Sequence, residues 1–125
     1  MVNEDFKDKT IELAKTSVSR RKVGAILSNK NNIVSSATNL EAKSHPVQAE
    51  WAKKAGKPKC IFLHAEIHAL IQAKEEADSI YVARVSKHDE IRMAKPCEIC
   101  ELALRSAGVK NVYYTNNDGW HTMTL

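Results

Sequence analysis

Two cysteines three positions apart, Cys97 and Cys100, follow a proline in the segment AKPCEICEL at residues 94–102. Such a pair suits three kinds of site: a redox dithiol, part of a zinc site, or two buried core thiols. Two neighbouring glutamates, Glu98 and Glu101, oppose the lowered thiol pKa that a redox dithiol needs. The pair also lies late in the chain, whereas a thioredoxin-like motif follows the first strand and helix. These observations disfavour the redox interpretation.

A second polar cluster, LHAE at residues 63–66, opens another predicted helix. Core thiols alone would leave this cluster and the proline unexplained. Cysteines at positions i and i+3 share one face of a helix start, and His64 supplies a third ligand if the two helices lie side by side. Three protein ligands leave the fourth zinc position open to water, as in catalytic sites. Glu66 lies near the metal without having to bind it, which suits a general acid/base.

The combination of HAE at residues 64–66 and PCEIC at residues 96–100 is typical of zinc nucleobase deaminases. On these motifs, and on an order of elements that matches as far as Thr115, the chain resembles the cytidine deaminase-like superfamily. The resemblance implies a zinc-dependent hydrolytic deaminase that converts cytosine to uracil in free (deoxy)cytidine or its monophosphate.

The resemblance also assigns roles to particular residues. One zinc ion per chain would be held by His64, Cys97 and Cys100, and its hydroxide would attack C4 of the ring. Glu66 would take the proton of the water, deliver it to the ring nitrogen and help to protonate the leaving ammonia. The backbone amide of Ala65 would meet the carbonyl oxygen of the substrate.

Asn39 and Glu41, just after the second predicted strand, resemble the N-x-E motif with which cytidine deaminases hold the sugar hydroxyl. The alternative is ordinary turn chemistry at the end of a strand. Glu98 and the pair Glu101–Leu102 depart from the cytidine deaminase pattern, which usually has Gly at the first place and Arg-Gln at the second. Residues 43–59 include five lysines and are longer than a cytidine deaminase connection needs. They would receive a 5′-phosphate or form a solvated amphipathic helix.

Other functions remain as alternatives at this point. One is deamination of cytosine or adenosine in single-stranded DNA or tRNA, which needs a basic groove with exposed aromatic residues. Another is deamination of a different amine-bearing heterocycle, and a third is a zinc fold that has lost activity and only binds. The intact Glu66 argues against the last.

The elements that must position these residues are predicted from hydrophobic patterning. A helix capped by Asn3 runs to about Val18, with Val18 on its packed face. Two hairpins, a short helix at residues 44–58, and helices opening at both motifs complete the order, which indicates an α/β fold. The short turn at residues 116–119 requires the last two strands to be antiparallel. With the resemblance, the expected fold is a three-layer α/β/α cytidine deaminase-like sandwich with a mixed five-stranded sheet.

The length, net charge and cysteine count indicate the number of domains, the cellular compartment and the kind of partner. The 125 residues are expected to form one domain, residues 1–125, with a net charge of +4 that mildly favours an anionic partner. The polar start and the absence of a long apolar stretch argue against a signal peptide and a membrane span. An odd number of cysteines indicates a reducing compartment, and we expect a cytoplasmic protein. The expected partners are a small pyrimidine nucleoside or nucleotide and further copies of the chain in a dimer, tetramer or hexamer.

Overall fold

Four helices and eight strands alternate along residues 2–125, the part of the chain that this computed structural model describes. The helices are α1 (Glu4–Lys15), α2 (Pro46–Lys54), α3 (Ala65–Gln72) and α4 (Glu98–Ser106). The strands are β1 (Lys22–Asn29), β2 (Asn32–Thr38), β3 (Leu40–Ser44), β4 (Phe62–Leu63), β5 (Ser79–Val85), β6 (Ile91–Arg92), β7 (Asn111–Asn116) and β8 (Gly119–Thr124).

The central sheet has the strand order β2-β1-β5-β7-β8, and the short strand β6 adds to β5. Only β5 and β7 run parallel within this order, because helix α4 crosses between them. The last two strands are antiparallel, with Tyr113 opposite Thr122. The predicted mixed sheet with an antiparallel final pair is therefore confirmed, and β6 is a sixth strand beyond the five predicted.

Side chains that alternate along the strands divide the core between the two faces of the sheet. On one face, Phe6 of α1 packs with Ile26 and Tyr81. On the other face, Ala69 of α3 and Leu104 of α4 belong to one cluster with residues of β1, β5 and β7. Helices thus cover both faces, which confirms the expected α/β/α layering. None of these helices, within residues 2–125, has the length and apolar character needed to cross a membrane.

Helix α1 begins as predicted but ends earlier. The side chain of Asn3 accepts a hydrogen bond from the Phe6 backbone N–H at 3.2 Å, so it caps the helix. The helix ends at Lys15, and Val18 is 90% exposed, so the prediction that Val18 lies on the packed face is wrong. The chain leaves the helix there because residues 17–21 turn to make hydrogen bonds with the segment after β2.

Three short strands, β3, β4 and β6, position the site. Strands β3 and β4 form a separate antiparallel pair in which Leu40 lies opposite Leu63. This pairing places the segment after β2 beside the HAE motif that opens α3. Strand β6 pairs with β5 through Arg92 and Arg84. It directs the chain back toward the proline that precedes the cysteine pair.

Candidate active site

The N-termini of α3 and α4 lie side by side, and the residues predicted to bind zinc lie at these two helix starts. His64 is the N-cap residue of α3 and Cys97 is the N-cap residue of α4. Cys100 lies in the first turn of α4 and is completely buried. Two helix N-termini carry positive partial charge, which favours thiolates at this position.

The three side chains converge closely enough to bind a metal ion. The His64 Nδ1 atom lies 3.2 Å from the Cys100 Sγ atom and 3.5 Å from the Cys97 Sγ atom. All three atoms lie within 4.8 Å of one another, and among residues 2–125 this is the one such group. Ordinary Zn–S and Zn–N bond lengths in a tetrahedral site imply an S···N separation of about 3.6 Å. The donor set and its spacing therefore fit zinc.

Without a metal ion, the two thiols differ strongly in acidity. A hydrogen bond from the Cys100 thiol, aided by His64, lowers the pKa of Cys97 to about 4. Donation of that bond, together with burial, raises the pKa of Cys100 well above its ordinary value. The hydrogen bond to Cys97 also raises the pKa of His64. The group thus holds protons that a divalent cation must displace when it binds.

Glu66 lies one position inside α3 and is 6% exposed. Burial raises the pKa of its carboxyl, although the nearby His64 opposes the shift. A carboxyl with a raised pKa next to a metal position is suited to accepting and donating protons near neutral pH. Ala65 opens the same helix and lines the same pocket, so its backbone N–H is among those without an intrahelical partner.

A pocket of about 330 Å³ adjoins the metal-ligand group and is lined by His64, Glu66 and Cys97. Asn39 and Glu41 also line it, so the structure brings all the predicted substrate-binding residues to one pocket. This volume is at the lower end of the range for small-molecule sites.

Asn39 and Glu41 also make hydrogen bonds within the protein. The Asn39 Oδ1 atom accepts from the Ser17 hydroxyl at 2.8 Å and from the Val23 N–H at 3.1 Å. Its Nδ2 atom donates to the Arg21 carbonyl at 2.6 Å. The Glu41 carboxylate accepts from the backbone N–H groups before β1 at residues 20 and 21, at 3.3 and 3.0 Å. Asn39 and Glu41 therefore line the pocket and also make the hydrogen bonds that are typical of a turn.

Gln48 is a functional candidate that the sequence analysis missed. Its side chain is fully buried; its Oε1 atom accepts from the His64 backbone N–H at 3.1 Å, and its Nε2 atom donates to the Cys60 carbonyl at 3.3 Å. Gln48 therefore ties helix α2 to the entry of α3. A signal was present, because Gln48 and the buried Ala52 are four residues apart on one face of α2.

Three basic residues of the pocket were also missed: Arg21, Arg84 and Lys95. They come from the turn before β1, from β5, and from the segment before the cysteine pair. Arg21 and Arg84 are separated in sequence from both motifs, so no local pattern pointed to them, whereas Lys95 directly precedes the PCEIC motif. The lysines of residues 43–59, which were considered as phosphate ligands, do not line this pocket.

Other conspicuous residues near the two motifs lie outside the metal-ligand group. His68 is outside the metal-ligand group, and its Nδ1 atom lies 2.8 Å from the Thr38 carbonyl oxygen. Cys60 is exposed, because the loop before β4 lies at the surface. The two glutamates beside the cysteines form weak surface ion pairs, Glu98 with Lys57 at 3.7 Å and Glu101 with Arg105 at 3.9 Å. Their carboxylates thus have cationic partners of their own.

Comparison with known proteins agrees with this geometry. The model of the cytidine and deoxycytidylate deaminase zinc-binding region matches residues 1–116. No curated protein sequence matches the chain significantly.

Several solved structures share the fold. A cytidine deaminase from Burkholderia pseudomallei is 18% identical with a TM-score of 0.69, and the match covers 99% of this chain and 93% of that one. A dCMP deaminase from the cyanophage S-TIM5, in complex with dCMP and dUMP, is 25% identical with a TM-score of 0.60, covering 93% and 85%. A cytidine deaminase from Mycobacterium leprae is 15% identical with a TM-score of 0.61, covering 98% and 94%.

Proposed function

The chain belongs to the cytidine and deoxycytidylate deaminase zinc-binding family of hydrolytic enzymes, and from this premise we propose that it deaminates cytosine in free (deoxy)cytidine or (deoxy)cytidine monophosphate. The observation that carries the proposal is the convergence of three metal ligands with a buried glutamate at one small pocket. The product would be the corresponding uracil compound and ammonia.

The metal ligands in this proposal are His64, Cys97 and Cys100, which together hold one zinc ion. When bound, zinc acts as a Lewis acid that lowers the pKa of a water molecule toward neutrality. The raised pKa of Glu66 equips its carboxylate to accept the proton of that water and to donate it to the ring nitrogen. The same carboxyl then helps to protonate the amino group that leaves as ammonia.

The remaining proposed contacts orient the substrate. The Ala65 backbone N–H, at the start of α3, would donate to the carbonyl oxygen of the pyrimidine. Asn39 has one amide hydrogen left after its bond to Arg21, and Glu41 retains acceptor capacity on both oxygens. Both side chains are therefore available to the sugar hydroxyls.

Measurement of ammonia release tests the proposal. The zinc-loaded chain would be assayed with cytidine, deoxycytidine, CMP and dCMP, and with a short single-stranded oligonucleotide that contains cytosine. We expect turnover of at least one of the four free pyrimidines and a loss of about 10⁴-fold or more in Glu66→Gln, which cannot accept the proton. Turnover that survives in Glu66→Gln, or activity confined to the oligonucleotide, would contradict the proposal.

Metal analysis provides an independent check on the ligand set. We expect about one zinc per chain in the purified protein and a large loss in Cys97→Ser and in His64→Ala. His68→Ala is the matched control, because His68 lies one turn away on the same helix but bonds Thr38 instead. Equal zinc content in His64→Ala and His68→Ala would refute the assignment.

The proposal extends to the cellular setting and to assembly. Thiolate ligands require a reducing compartment, for which we propose the cytoplasm. Phe62 and Met93 line the pocket and are 51% and 50% exposed, so a second copy of the chain that covered them would also enclose the substrate. Light scattering of the zinc-loaded protein tests for the proposed homo-oligomer, and a monomer at all concentrations would contradict it.

A further inference from the structure

Three cationic side chains share the pocket beside the metal-ligand group and have no carboxylate partner. Arg21, Arg84 and Lys95 all line this pocket. None of them takes part in the ion pairs found among residues 2–125. Glu41 and Glu66 line the same pocket, but neither carboxylate forms an ion pair with these cations. Neighbouring cations without ion-pair partners repel one another, so this arrangement favours an anionic ligand.

Arg84 gives the strongest indication of an anion-binding site. It lies on β5 in the middle of the sheet, and its backbone is held by pairing with Val23 on one side and Arg92 on the other. Its Nε atom is shielded from solvent and has no hydrogen-bond partner; within residues 2–125, no other buried side-chain nitrogen or oxygen is in this state. A buried donor of a charged group without a partner is costly, so such an atom in a native protein needs an explanation.

The surroundings of Arg84 add to this cost. Burial lowers the pKa of Arg84, and the positive charges of Arg21 and Arg92 lower it further. Arg92 forms an ion pair with Glu90 at 3.4 Å, but Arg21 and Arg84 have no such ion-pair partner in the described part of the chain. An anion bound between them would reduce the repulsion between the two charges and would offer hydrogen-bond acceptors to the Arg84 guanidinium, whose Nε–H has none within residues 2–125.

Arg21 is positioned by two other residues that line the pocket. Its backbone N–H donates to Glu41, and its carbonyl accepts from Asn39. The turn that carries Arg21 is therefore fixed to the same two residues that are proposed to bind the sugar. A ligand whose sugar contacts Asn39 and Glu41 would therefore lie close to Arg21, which is hydrogen-bonded to both residues.

We propose that Arg84, together with Arg21 and Lys95, binds the 5′-phosphate of the substrate, so that this deaminase acts on a pyrimidine nucleoside monophosphate rather than on the nucleoside. This inference rests on the proposed function and makes its substrate class specific. Guanidinium groups suit phosphate because they donate several hydrogen bonds in a fixed plane. A polynucleotide fits less well, since the cations converge on one small pocket rather than following a groove.

The first test compares deamination of dCMP and deoxycytidine by the zinc-loaded chain. We expect the ratio of kcat/KM for dCMP to kcat/KM for deoxycytidine to be well above one. In Arg84→Met this ratio should fall by about 10- to 100-fold, which corresponds to the loss of a charged hydrogen bond. Arg105→Gln, an arginine on α4 outside the pocket, is the matched control and should keep the ratio of the parent protein. An unchanged ratio in Arg84→Met overturns the inference, and so does a single-stranded oligonucleotide that is deaminated faster than dCMP.

A second test does not depend on activity. Thermal unfolding of the zinc-loaded protein should shift upward with inorganic phosphate and with dUMP, and the shift should be lost in Arg84→Met. If Arg84→Met does not fold, Arg21→Gln at the exposed rim provides the same comparison. Failure to deaminate any pyrimidine while phosphate and dUMP still stabilise the protein would refute the proposed function and retain the anion site. Deamination with no stabilisation by either anion would refute the anion site alone.

Discussion

Replacing Gln48 by methionine removes both hydrogen bonds that tie helix α2 to the entry of helix α3. Methionine has a similar length and volume, so the fully buried site keeps its packing and gains no large cavity. The substitution leaves the His64 backbone N–H and the Cys60 carbonyl without their side-chain partner.

The expected loss follows from the two bonds. A buried polar group left without a partner costs about 1–3 kcal/mol, and because both bonds are only partly buried we take about 1 kcal/mol for each. The free energy of unfolding should therefore fall by about 2 kcal/mol. With a urea dependence of about 1–3 kcal/mol per molar, the unfolding midpoint should fall by about 1 M.

Zinc binding should weaken as well, because Gln48 bonds the backbone of a metal ligand. Loss of an outer partner of a ligand typically reduces metal affinity by about 10- to 100-fold. Competition with a chromophoric chelator measures this change. Gln72→Met is the matched control, since Gln72 is exposed and its side chain lies 2.9 Å from His68, which is outside the metal-ligand group.

If Gln48→Met keeps both the urea midpoint and the zinc affinity of the parent protein, the two bonds do not position His64. A loss of stability with full zinc affinity would limit Gln48 to holding the helices together.

Three further predictions concern packing and protonation. Gly24→Ala should lower the free energy of unfolding by about 1–3 kcal/mol in urea titration, because the added Cβ would lie 2.7 Å from the Ala14 backbone nitrogen. An unchanged unfolding midpoint would show that helix α1 can shift away from the added Cβ without loss of stability. In chelator-treated protein, burial raises the pKa of Glu66, so this carboxyl reduces stability as the pH rises above 4.5. Glu66→Gln should therefore become more stable relative to the parent protein as the pH rises above that value, and a stability difference that does not change with pH would contradict the shift. In the same metal-free protein, Cys97 should react with iodoacetamide at pH 6, because the pKa of its thiol is about 4. Added zinc should protect Cys97 from this reaction, as measured by mass spectrometry. Equal labelling with and without zinc would contradict the role of Cys97 as a ligand.

The depressed pKa of Cys97 also sets the direction of a pH effect on folding. The folded-state value of about 4 lies below that of an unfolded thiol, about 8.5. This thiolate therefore stabilises the metal-free fold fully above about pH 8.5, and its contribution falls as the pH approaches 4. Zinc release at low pH should follow the same direction, because protons compete with the metal for the thiolates.

Much of the fold could be predicted because its signals are local. The cap at Asn3, the proline and glycine that flank α2 and the short turn between β7 and β8 each act within a few residues. The end of α1 was misplaced because Val18 has a helical pattern but faces solvent once residues 17–21 bond to the segment after β2. Strands of two residues, such as β4 and β6, exist only through their partners and carry no pattern of their own.

The sequence by itself determined the metal chemistry, because zinc ligation depends on residue types and on spacing within a helix turn. Cys97 and Cys100 share one helix start, and the motif that contains His64 and Glu66 has the same local character. The tertiary structure alone decided what surrounds that metal position. Gln48 and Arg84 reach the site across elements that are distant in sequence, so their roles depend on which helices and strands become neighbours. Local spacing could indicate the reaction, but only the packed sheet could place the unpaired Arg84 guanidinium at the pocket where we propose that a substrate phosphate binds.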